Sequence, residues 1–107
     1  MSQPYAITQP ERAVIDAMPG MLALEFGADW CGHCRAAAPL IAAALAQHPG
    51  VQHIKVEDGS GRKLGRSFRI KLWPTLVLLE NGVELARIVR PADAAEVQQA
   101  LDGAARP

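Results

Sequence analysis

Two cysteines three positions apart, Cys31 and Cys34, are the residues in this sequence most able to do chemistry. They follow an apolar run and precede an Ala-rich stretch, which predicts a strand leading through a short loop into a helix that starts at Cys31. Unpaired backbone N–H groups and the positive end of the helix dipole favour a thiolate at such a position. We therefore expect Cys31 to be a nucleophile. Cys34 lies one turn further on, where it can attack a mixed disulfide on Cys31.

The rest of the composition bounds the classes of protein to which this chain can belong. Its 107 residues predict one domain, spanning 1–107, which can bury a core without a disulfide or metal staple. The 11 basic and 11 acidic side chains give a formal net charge of zero, which argues against nucleic acid as a partner. No apolar run reaches the roughly 20 residues of a membrane helix, and the first residues lack the pattern of a signal peptide. We therefore expect a cytoplasmic monomer with no membrane partner.

Apolar patterns and turn residues predict a mixed sheet of four strands. The candidate strands are 21–26, 51–57, 75–79 and 83–89. The first of them is apolar on both faces apart from Glu25, which is typical of a central strand covered on both sides. The last two flank Asn81-Gly82, a pair that suits the left-handed turn of a β-hairpin.

Four helices are predicted around these strands, giving an α/β fold with helices on both faces of the sheet. They are expected to start after a capping box at Thr8–Glu11, at Cys31, near residue 60, and at a capping box over Asp93–Glu96. The second, which runs to about residue 47, is expected to be largely buried. Side chains expected to face the core are Val14, Ile15 and Met18 in the first helix, Leu64 and Phe68 in the third, and Val97, Ala100 and Leu101 in the last.

A zinc finger is the rival interpretation of the cysteine pair, because His48 and His53 follow at a spacing close to the Cys2His2 pattern. The two histidines of a finger share one helix, however, and Pro49-Gly50 between these two interrupts any helix. We therefore expect no metal site. His48 should then end a helix, and His53 should lie in a strand or turn.

Several further residues fall into a known pattern around the cysteine pair. They are the run Trp30-Cys31-Gly32-His33-Cys34, Pro39, the strand acid Glu25, Lys55, the step Trp73-Pro74-Thr75 and the turn Asn81-Gly82. Together they resemble the thioredoxin superfamily over nearly the whole chain, with a CGHC motif most similar to that of protein disulfide isomerase. The resemblance implies a thioredoxin fold and exchange of protein disulfides through Cys31 and Cys34, with no cofactor beyond this dithiol.

The resemblance also assigns roles to neighbours of the dithiol. It implies that Glu25 is a buried carboxyl that exchanges the proton of Cys34, that Lys55 modulates the charge of Glu25, and that Pro74 is a cis-proline. From the residues alone, burial among apolar side chains disfavours the charged form of Glu25, which suits proton transfer near neutral pH. A surface charge on an edge strand is the alternative for Glu25, and a solvated strand lysine is the alternative for Lys55.

Substrate contacts are expected around the two tryptophans. Trp30 and Trp73 are either core aromatics or the walls of an apolar groove for an extended peptide. The resemblance implies that protein substrates contact Trp30, Gly32, Trp73, Pro74, Thr75 and Arg90.

Four positions depart from the thioredoxin pattern to which the chain is otherwise similar. Gly27 stands where an aromatic residue is usual, Trp73 where an aliphatic residue is usual, and Leu72 and Arg90 where glycines are usual. The long cationic side chain of Arg90 should either block the groove or select an acidic partner. These departures therefore weaken the expectation that a thioredoxin reductase docks to this chain.

These patterns lead to two hypotheses about function. The first is a thiol–disulfide oxidoreductase acting on protein disulfides or dithiols, in which a cytosolic setting favours reduction while His33 beside the thiolate favours a more oxidising poise. The second is a docking or chaperone-like module that binds a client peptide between Trp30 and Trp73 with little redox turnover. Five basic residues within 62–71 predict a solvated helix face, with docking of an acidic partner as the alternative.

Overall fold

The computed structural model describes residues 3–104, which form a four-stranded sheet with four helices. In chain order the elements are α1 (Arg12–Ala17), β1 (Met21–Gly27), α2 (Gly32–Ala46), β2 (Gln52–Glu57), α3 (Lys63–Ser67), β3 (Thr75–Glu80), β4 (Val83–Val89) and α4 (Ala94–Ala104). The strands lie in the order β2-β1-β3-β4, with β1 parallel to β2 and the other neighbours antiparallel. The predicted α/β class and mixed sheet are therefore confirmed.

Each face of the sheet carries its own apolar core. Ile15 of α1 and Leu64 of α3 pack on one face, whereas Ile41 of α2 and Leu101 of α4 pack on the other. β1 supplies both cores from alternate positions: Leu22, Leu24 and Phe26 on the first face and Ala23 on the second. Because side chains along a strand alternate between faces, Glu25 projects toward the face that α2 and α4 cover.

α2 begins immediately after Cys31 and has one buried stripe. The prediction of a largely buried helix was wrong, because its buried residues recur every three or four positions and those between them are exposed or half-buried. The buried residues are Cys34, Ala37, Ile41 and Ala44. A sheet covers only one side of a helix, so the alanines outside this stripe supply helix propensity without being buried.

The prediction for the first helix was wrong at its start and in one side chain. Thr8–Glu11 forms no capping box, because α1 begins at Arg12 and Glu11 caps it without a side-chain hydrogen bond. The preceding segment instead follows β2, where the N–H and the carbonyl oxygen of Ala6 both bond to the strand backbone at 2.9 Å. A helix of six residues presents few side chains to the sheet, and Val14 is 53% exposed.

The remaining helices bury the side chains that the sequence pattern predicts, but α3 begins at Lys63 rather than near residue 60. Leu64 in α3 and Phe68 at its C-cap are buried, as expected. At the start of α4, Asp93 Oδ1 accepts a hydrogen bond from the N–H of Glu96 at 2.9 Å, and Val97 is fully buried. Among residues 3–104, no helix has the length and apolar character that crossing a membrane requires.

The β3–β4 turn has the predicted left-handed backbone and also packs against α1. Asn81 and Gly82 have φ values of 50° and 81°. The side-chain oxygen of Asn81 accepts a hydrogen bond from the N–H of Gly20 at 2.8 Å, and the backbone N–H of Asn81 donates to the Gly20 carbonyl at 3.0 Å. A Cβ atom on Gly82 would overlap the backbone carbonyl of Asp16. Only glycine therefore satisfies both the backbone conformation and the close approach.

Replacing Gly82 with alanine should lower the free energy of unfolding by roughly 2 to 4 kcal/mol, because a left-handed backbone and a steric overlap are both penalised. Urea denaturation measures this. Gly103→Ala is the matched control, since Gly103 lies exposed in α4 with nothing within 4 Å of its added Cβ. The control should be neutral or stabilising by up to about 1 kcal/mol. Equal stabilities for the two variants would contradict this account of the turn.

Candidate active site

The two cysteines lie at the start of α2, just after the loop that follows β1. Cys31 is the N-cap of α2, with φ −81° and ψ 122°, and Cys34 lies in its first turn. Both are free thiols, but they differ in access: Cys31 is 9% exposed and Cys34 is 1% exposed. The N–H of Cys31 donates to the carbonyl of Ala28 at 3.1 Å, which closes the loop after β1. A disulfide arriving from solvent therefore meets the Cys31 sulfur first.

The pKa of the Cys31 thiol is lowered. Burial is the largest single influence and acts to raise it, but hydrogen bonds to the sulfur outweigh the burial. These bonds come from the Cys34 thiol and from the backbone N–H groups of Cys34 and His33, and the positive charge of Arg90 adds to them. The backbone donors are the free N–H groups of the first turn, which is the effect expected at a helix N-terminus.

The pKa of the Cys34 thiol is shifted in the opposite direction. Burial raises it to about 11, and hydrogen bonds with the backbone of Ala28 and with the Tyr5 hydroxyl offset this only in part. At pH 7 a thiol with that pKa is ionised in about one molecule in ten thousand. Attack by Cys34 therefore needs a group that accepts its proton.

Glu25 is a buried carboxyl on the central strand, not a surface charge on an edge strand. It is 1% exposed, and its two oxygens have different partners. Oε1 lies 2.9 Å from Nε2 of His53, and Oε2 accepts the hydroxyl hydrogen of Tyr5. The carboxyl is thus held between a phenol and an imidazole.

Lys55 is buried rather than solvated, with 4% of its surface exposed. It aligns with Glu25 in the β1–β2 register, yet its ammonium has other partners. Nζ donates to the carbonyl of Gln3 at 2.5 Å and lies 4.3 Å from the centre of the Tyr5 ring. The modulation of Glu25 by Lys55 stays a prediction, and the ring contact gives it a route through Tyr5.

Tyr5 and His53 are site residues that the sequence reasoning missed. A signal for His53 was present, because it lies two positions before Lys55 and strand periodicity places both on the face that carries Glu25. No local pattern identifies Tyr5. It reaches the site only because Ala6, next to it, pairs with β2 far along the chain.

The two tryptophans form an apolar wall beside the dithiol. Their ring centres are 5.5 Å apart and their planes meet at 74°, an edge-to-face pair. Trp30 is 68% exposed, so its assignment as a core aromatic is excluded. Trp73 packs against the cluster that contains Cys31, and its indole N–H donates to Asp58 at 2.9 Å.

The other expected substrate contacts surround this wall. The peptide bond between Trp73 and Pro74 is cis. Thr75 is buried and its hydroxyl donates to the carbonyl of Leu72 at 2.7 Å, so this side chain is engaged within the fold. Gly32 is exposed, and a Cβ atom there would meet nothing within 4 Å. The roles of these positions in substrate binding stay predictions.

Arg90 lies along the Trp73–Pro74 step. Its N–H donates to the carbonyl of Pro74 at 3.0 Å, and its Nε donates to the carbonyl of Trp73 at 2.8 Å. Its φ is 48°, a left-handed conformation that glycine adopts without strain. The guanidinium is therefore fixed where its charge acts on Cys31.

The histidines of the zinc-finger alternative have other partners. His48 Nε2 lies 3.0 Å from an Asp102 oxygen and 2.8 Å from the Gln98 amide, whereas His53 contacts Glu25. Within residues 3–104, no group of three or more His, Cys, Asp or Glu side chains converges as a metal site would require.

Comparison with known proteins decides the family. Residues 8–103 match the family model described as Thioredoxin. This chain belongs to the thioredoxin family. A structure of thioredoxin 2 from Pseudomonas aeruginosa PAO1 in its reduced form is 50% identical to it, covers 96% of this chain and 95% of its own, and superposes with a TM-score of 0.87.

Curated thioredoxins are similar at lower identity. Thioredoxin C-3 of Corynebacterium nephridii is 35% identical over 79 residues, which are 74% of this chain and 54% of that protein. Thioredoxin-1 of Saccharomyces cerevisiae is 31% identical over 85 residues, which are 79% of this chain and 82% of the yeast protein. This chain thus spans about half the length of Thioredoxin C-3.

Membership of the thioredoxin family gives the dithiol its chemistry. Members are thiol–disulfide oxidoreductases whose redox-active disulfide belongs to the protein itself, without a cofactor. In this chain Cys31 and Cys34 are the two cysteines, and they stand in the relation that such chemistry requires.

At pH 7, Cys31 should be alkylated by iodoacetamide much faster than Cys34, because the thiolate is the reacting form and the pKa of Cys31 is the lower of the two. Timed alkylation followed by peptide mass spectrometry measures both rates. Equal rates would remove the assignment of Cys31 as nucleophile.

A charge-removing substitution at Arg90 extends this prediction. Arg90→Met keeps a long side chain but loses the charge, so alkylation of Cys31 at fixed pH should slow. Arg87→Met is the matched control, because Arg87 lies in β4, three residues before Arg90, and pairs with Glu84 at 2.7 Å. Equal slowing in both variants would show that Arg90 has no specific effect on Cys31.

Proposed function

We propose that this protein exchanges the disulfides of protein substrates through its CGHC dithiol, with Cys31 as nucleophile and Cys34 as resolving thiol. One observation carries the proposal: two thiols in one helical turn have pKa values shifted in opposite directions, and the one with the lowered pKa is the more exposed. This asymmetry gives each thiol one step of the exchange.

The reaction proceeds in two displacements. The Cys31 thiolate attacks one sulfur of the substrate disulfide, a bond between Cys31 and that sulfur forms, and the other substrate sulfur leaves as a thiolate. Cys34 then loses its proton and attacks the Cys31 sulfur. The Cys31–Cys34 disulfide forms, and the second substrate sulfur leaves. Two electrons pass from the dithiol to the substrate, and the reverse sequence oxidises a substrate dithiol.

The surface around Cys31 supports binding of an extended peptide. Trp30, which contacts the partly buried Trp73, is 68% exposed, and Leu72, the residue before Trp73, is 48% exposed. Exposed apolar side chains of this size often mark a surface that binds a partner. The adjacent Arg90 charge favours a substrate or partner with an acidic residue near its disulfide. The same exposed apolar surface also favours the second candidate function, a docking or chaperone-like module.

The family implies protein disulfide substrates and a reductase partner. We propose that the protein works in the cytoplasm, where a CxxC pair serves catalysis rather than structural cross-linking. The surface that a reductase would contact is altered at Leu72, Trp73 and Arg90. Recognition by thioredoxin reductase therefore has to be measured.

Reduction of insulin by dithiothreitol tests the proposed function. The wild-type chain should accelerate insulin precipitation, and Cys31→Ser should abolish the acceleration, because serine cannot carry out thiol exchange. Cys34→Ser should retain the first displacement and accumulate a mixed disulfide on Cys31, which mass spectrometry identifies. If the wild type is no faster than Cys31→Ser while both bind an unfolded peptide equally, the docking function replaces the oxidoreductase proposal.

His33 should set part of the reduction potential. Its backbone N–H donates to the Cys31 sulfur, a contact that stabilises the thiolate and therefore only the reduced state. His33→Pro removes both this N–H and the imidazole. A charge-assisted hydrogen bond is worth about 1.5 to 3 kcal/mol, so the potential should become more negative by roughly 30 to 60 mV.

Equilibration with glutathione redox buffers measures that potential. His33→Ala is the matched control, because it removes the ring and keeps the backbone donor, so it separates the two contributions. A potential in His33→Pro equal to or less negative than that of the wild type would show that His33 does not favour the dithiol.

A further inference from the structure

A tyrosine occupies the space beside Cys34 that a side chain at position 27 would fill. A Cβ atom built on Gly27 would lie 2.6 Å from the Cys34 sulfur and 2.7 Å from the Tyr5 hydroxyl oxygen. The Tyr5 hydroxyl and the Cys34 sulfur therefore border the same small space beside Gly27, and both residues belong to one buried cluster. The hydrogen bond between Tyr5 and Cys34 also influences the pKa of both groups.

The same hydroxyl bonds to Glu25, and Glu25 bonds to a group that reaches solvent. Tyr5 donates to Oε2, and His53 lies 2.9 Å from Oε1 with 23% of its side chain exposed. Glu25, His53 and Lys55 line a surface cleft of about 350 Å³. A continuous series of polar contacts thus runs from the buried Cys34 sulfur to this cleft.

We propose that Tyr5 relays the proton of Cys34 to Glu25 and that His53 passes it to solvent. The inference rests on the proposed dithiol exchange and assigns to it one further catalytic residue, Tyr5, and one positioning residue, His53.

During resolution of the mixed disulfide, two linked proton transfers accompany the exchange of sulfur–sulfur bonds. The Cys34 S–H proton moves to the Tyr5 oxygen while the phenolic proton moves to Glu25 Oε2. The Cys34 sulfur forms its bond to Cys31, and the bond from Cys31 to the substrate sulfur breaks, with the substrate leaving as a thiolate. The Glu25 carboxyl group then rotates so that the proton on Oε2 faces His53, and this proton passes to Nε2 of His53, which releases a proton to water. Tyr5 ends each cycle as a neutral phenol.

The groups that face Tyr5 suit a residue that passes a proton on and does not hold a negative charge as a phenolate. Burial, and then the carboxyl of Glu25, raises the pKa of Tyr5, so a phenolate is disfavoured. Lys55 Nζ faces the ring from β2 at 4.3 Å, and Asp29 holds the Tyr5 N–H at 3.1 Å. These contacts fix the ring so that its hydroxyl serves both Cys34 and Glu25.

A coloured nitrobenzoate disulfide separates the two displacements in one experiment. With reduced wild-type protein, the first equivalent of coloured thiolate reports attack by Cys31, and the second reports resolution by Cys34. Tyr5→Phe keeps the ring and removes the hydroxyl. We expect first release within about twofold of the wild type and second release slowed roughly 10- to 100-fold at pH 7, with the difference narrowing at high pH as hydroxide replaces the relay.

A double-mutant comparison distinguishes a relay from a structural role. Glu25→Gln should slow the second release by a similar factor. Because both residues act on one proton, the double variant should be no more than about twofold slower than the slower single variant. If the slowing in the double variant equals the product of the two single-variant effects, the relay is overturned. His53→Gln should slow the second release at pH 7, whereas His48→Gln, which leaves Glu25 untouched, should not.

Tyr5 is the only tyrosine in the chain, which provides a measurement that leaves the fold unaltered. Protein grown on fluorotyrosine carries a fluorine NMR reporter at Tyr5 alone. Its resonance should titrate with the same midpoint as the second-release rate, and Glu25→Gln should abolish that titration. Unrelated midpoints, or a wild-type rate and pH profile in Tyr5→Phe, would overturn the relay. Absence of any second release from the wild type would instead overturn the proposed dithiol exchange.

Discussion

A carboxyl group buried in the middle of the sheet has to receive its hydrogen bonds from the protein, and the surroundings of the dithiol depend on how this is done. Glu25 lies on the central strand with 1% of its surface exposed. Leaving such a group without partners would cost several kcal/mol. Its partners come from two other segments: Tyr5 from the chain before α1, and His53 from β2. The pairing of Ala6 with β2 that brings Tyr5 into place is therefore as much a part of the site as α2.

The position of Glu25 also links the sheet to the reactivity of the cysteines. β1 ends at Gly27, and the loop after it delivers Cys31 to the N-cap of α2. The absence of a side chain at Gly27 leaves room for both the Tyr5 hydroxyl and the Cys34 sulfur. One short segment of chain thus sets the burial of the carboxyl, the access of the nucleophile and the isolation of the resolving thiol.

The features that the sequence predicted are those with local signals. Alternating or continuous apolar runs identified β1 and the hairpin, Asn81-Gly82 identified its turn, and the two cysteines before an Ala-rich stretch identified the start of α2. The failures have a common cause. The predicted capping box at Thr8–Glu11 does not form, and the segment before it pairs with the distant strand β2 instead. Likewise, no local pattern around Tyr5 indicates that it contacts Glu25. Composition gave the helicity of α2, but its exposed sides depend on how much of it one sheet face covers.

The N-cap position of Cys31 has a consequence for the chain before it folds. The donors that stabilise its thiolate are backbone N–H groups of α2 and the Cys34 thiol, together with the charge of Arg90, which lies far along the chain. None of these is arranged in an unfolded polypeptide, where an isolated helical turn is rarely populated. A newly made chain therefore carries two thiols of ordinary pKa. These are mostly protonated at neutral pH, so they oxidise slowly. Chemical reactivity in this protein is acquired at the moment of folding, so the labelling rate of Cys31 is itself a readout of the native state.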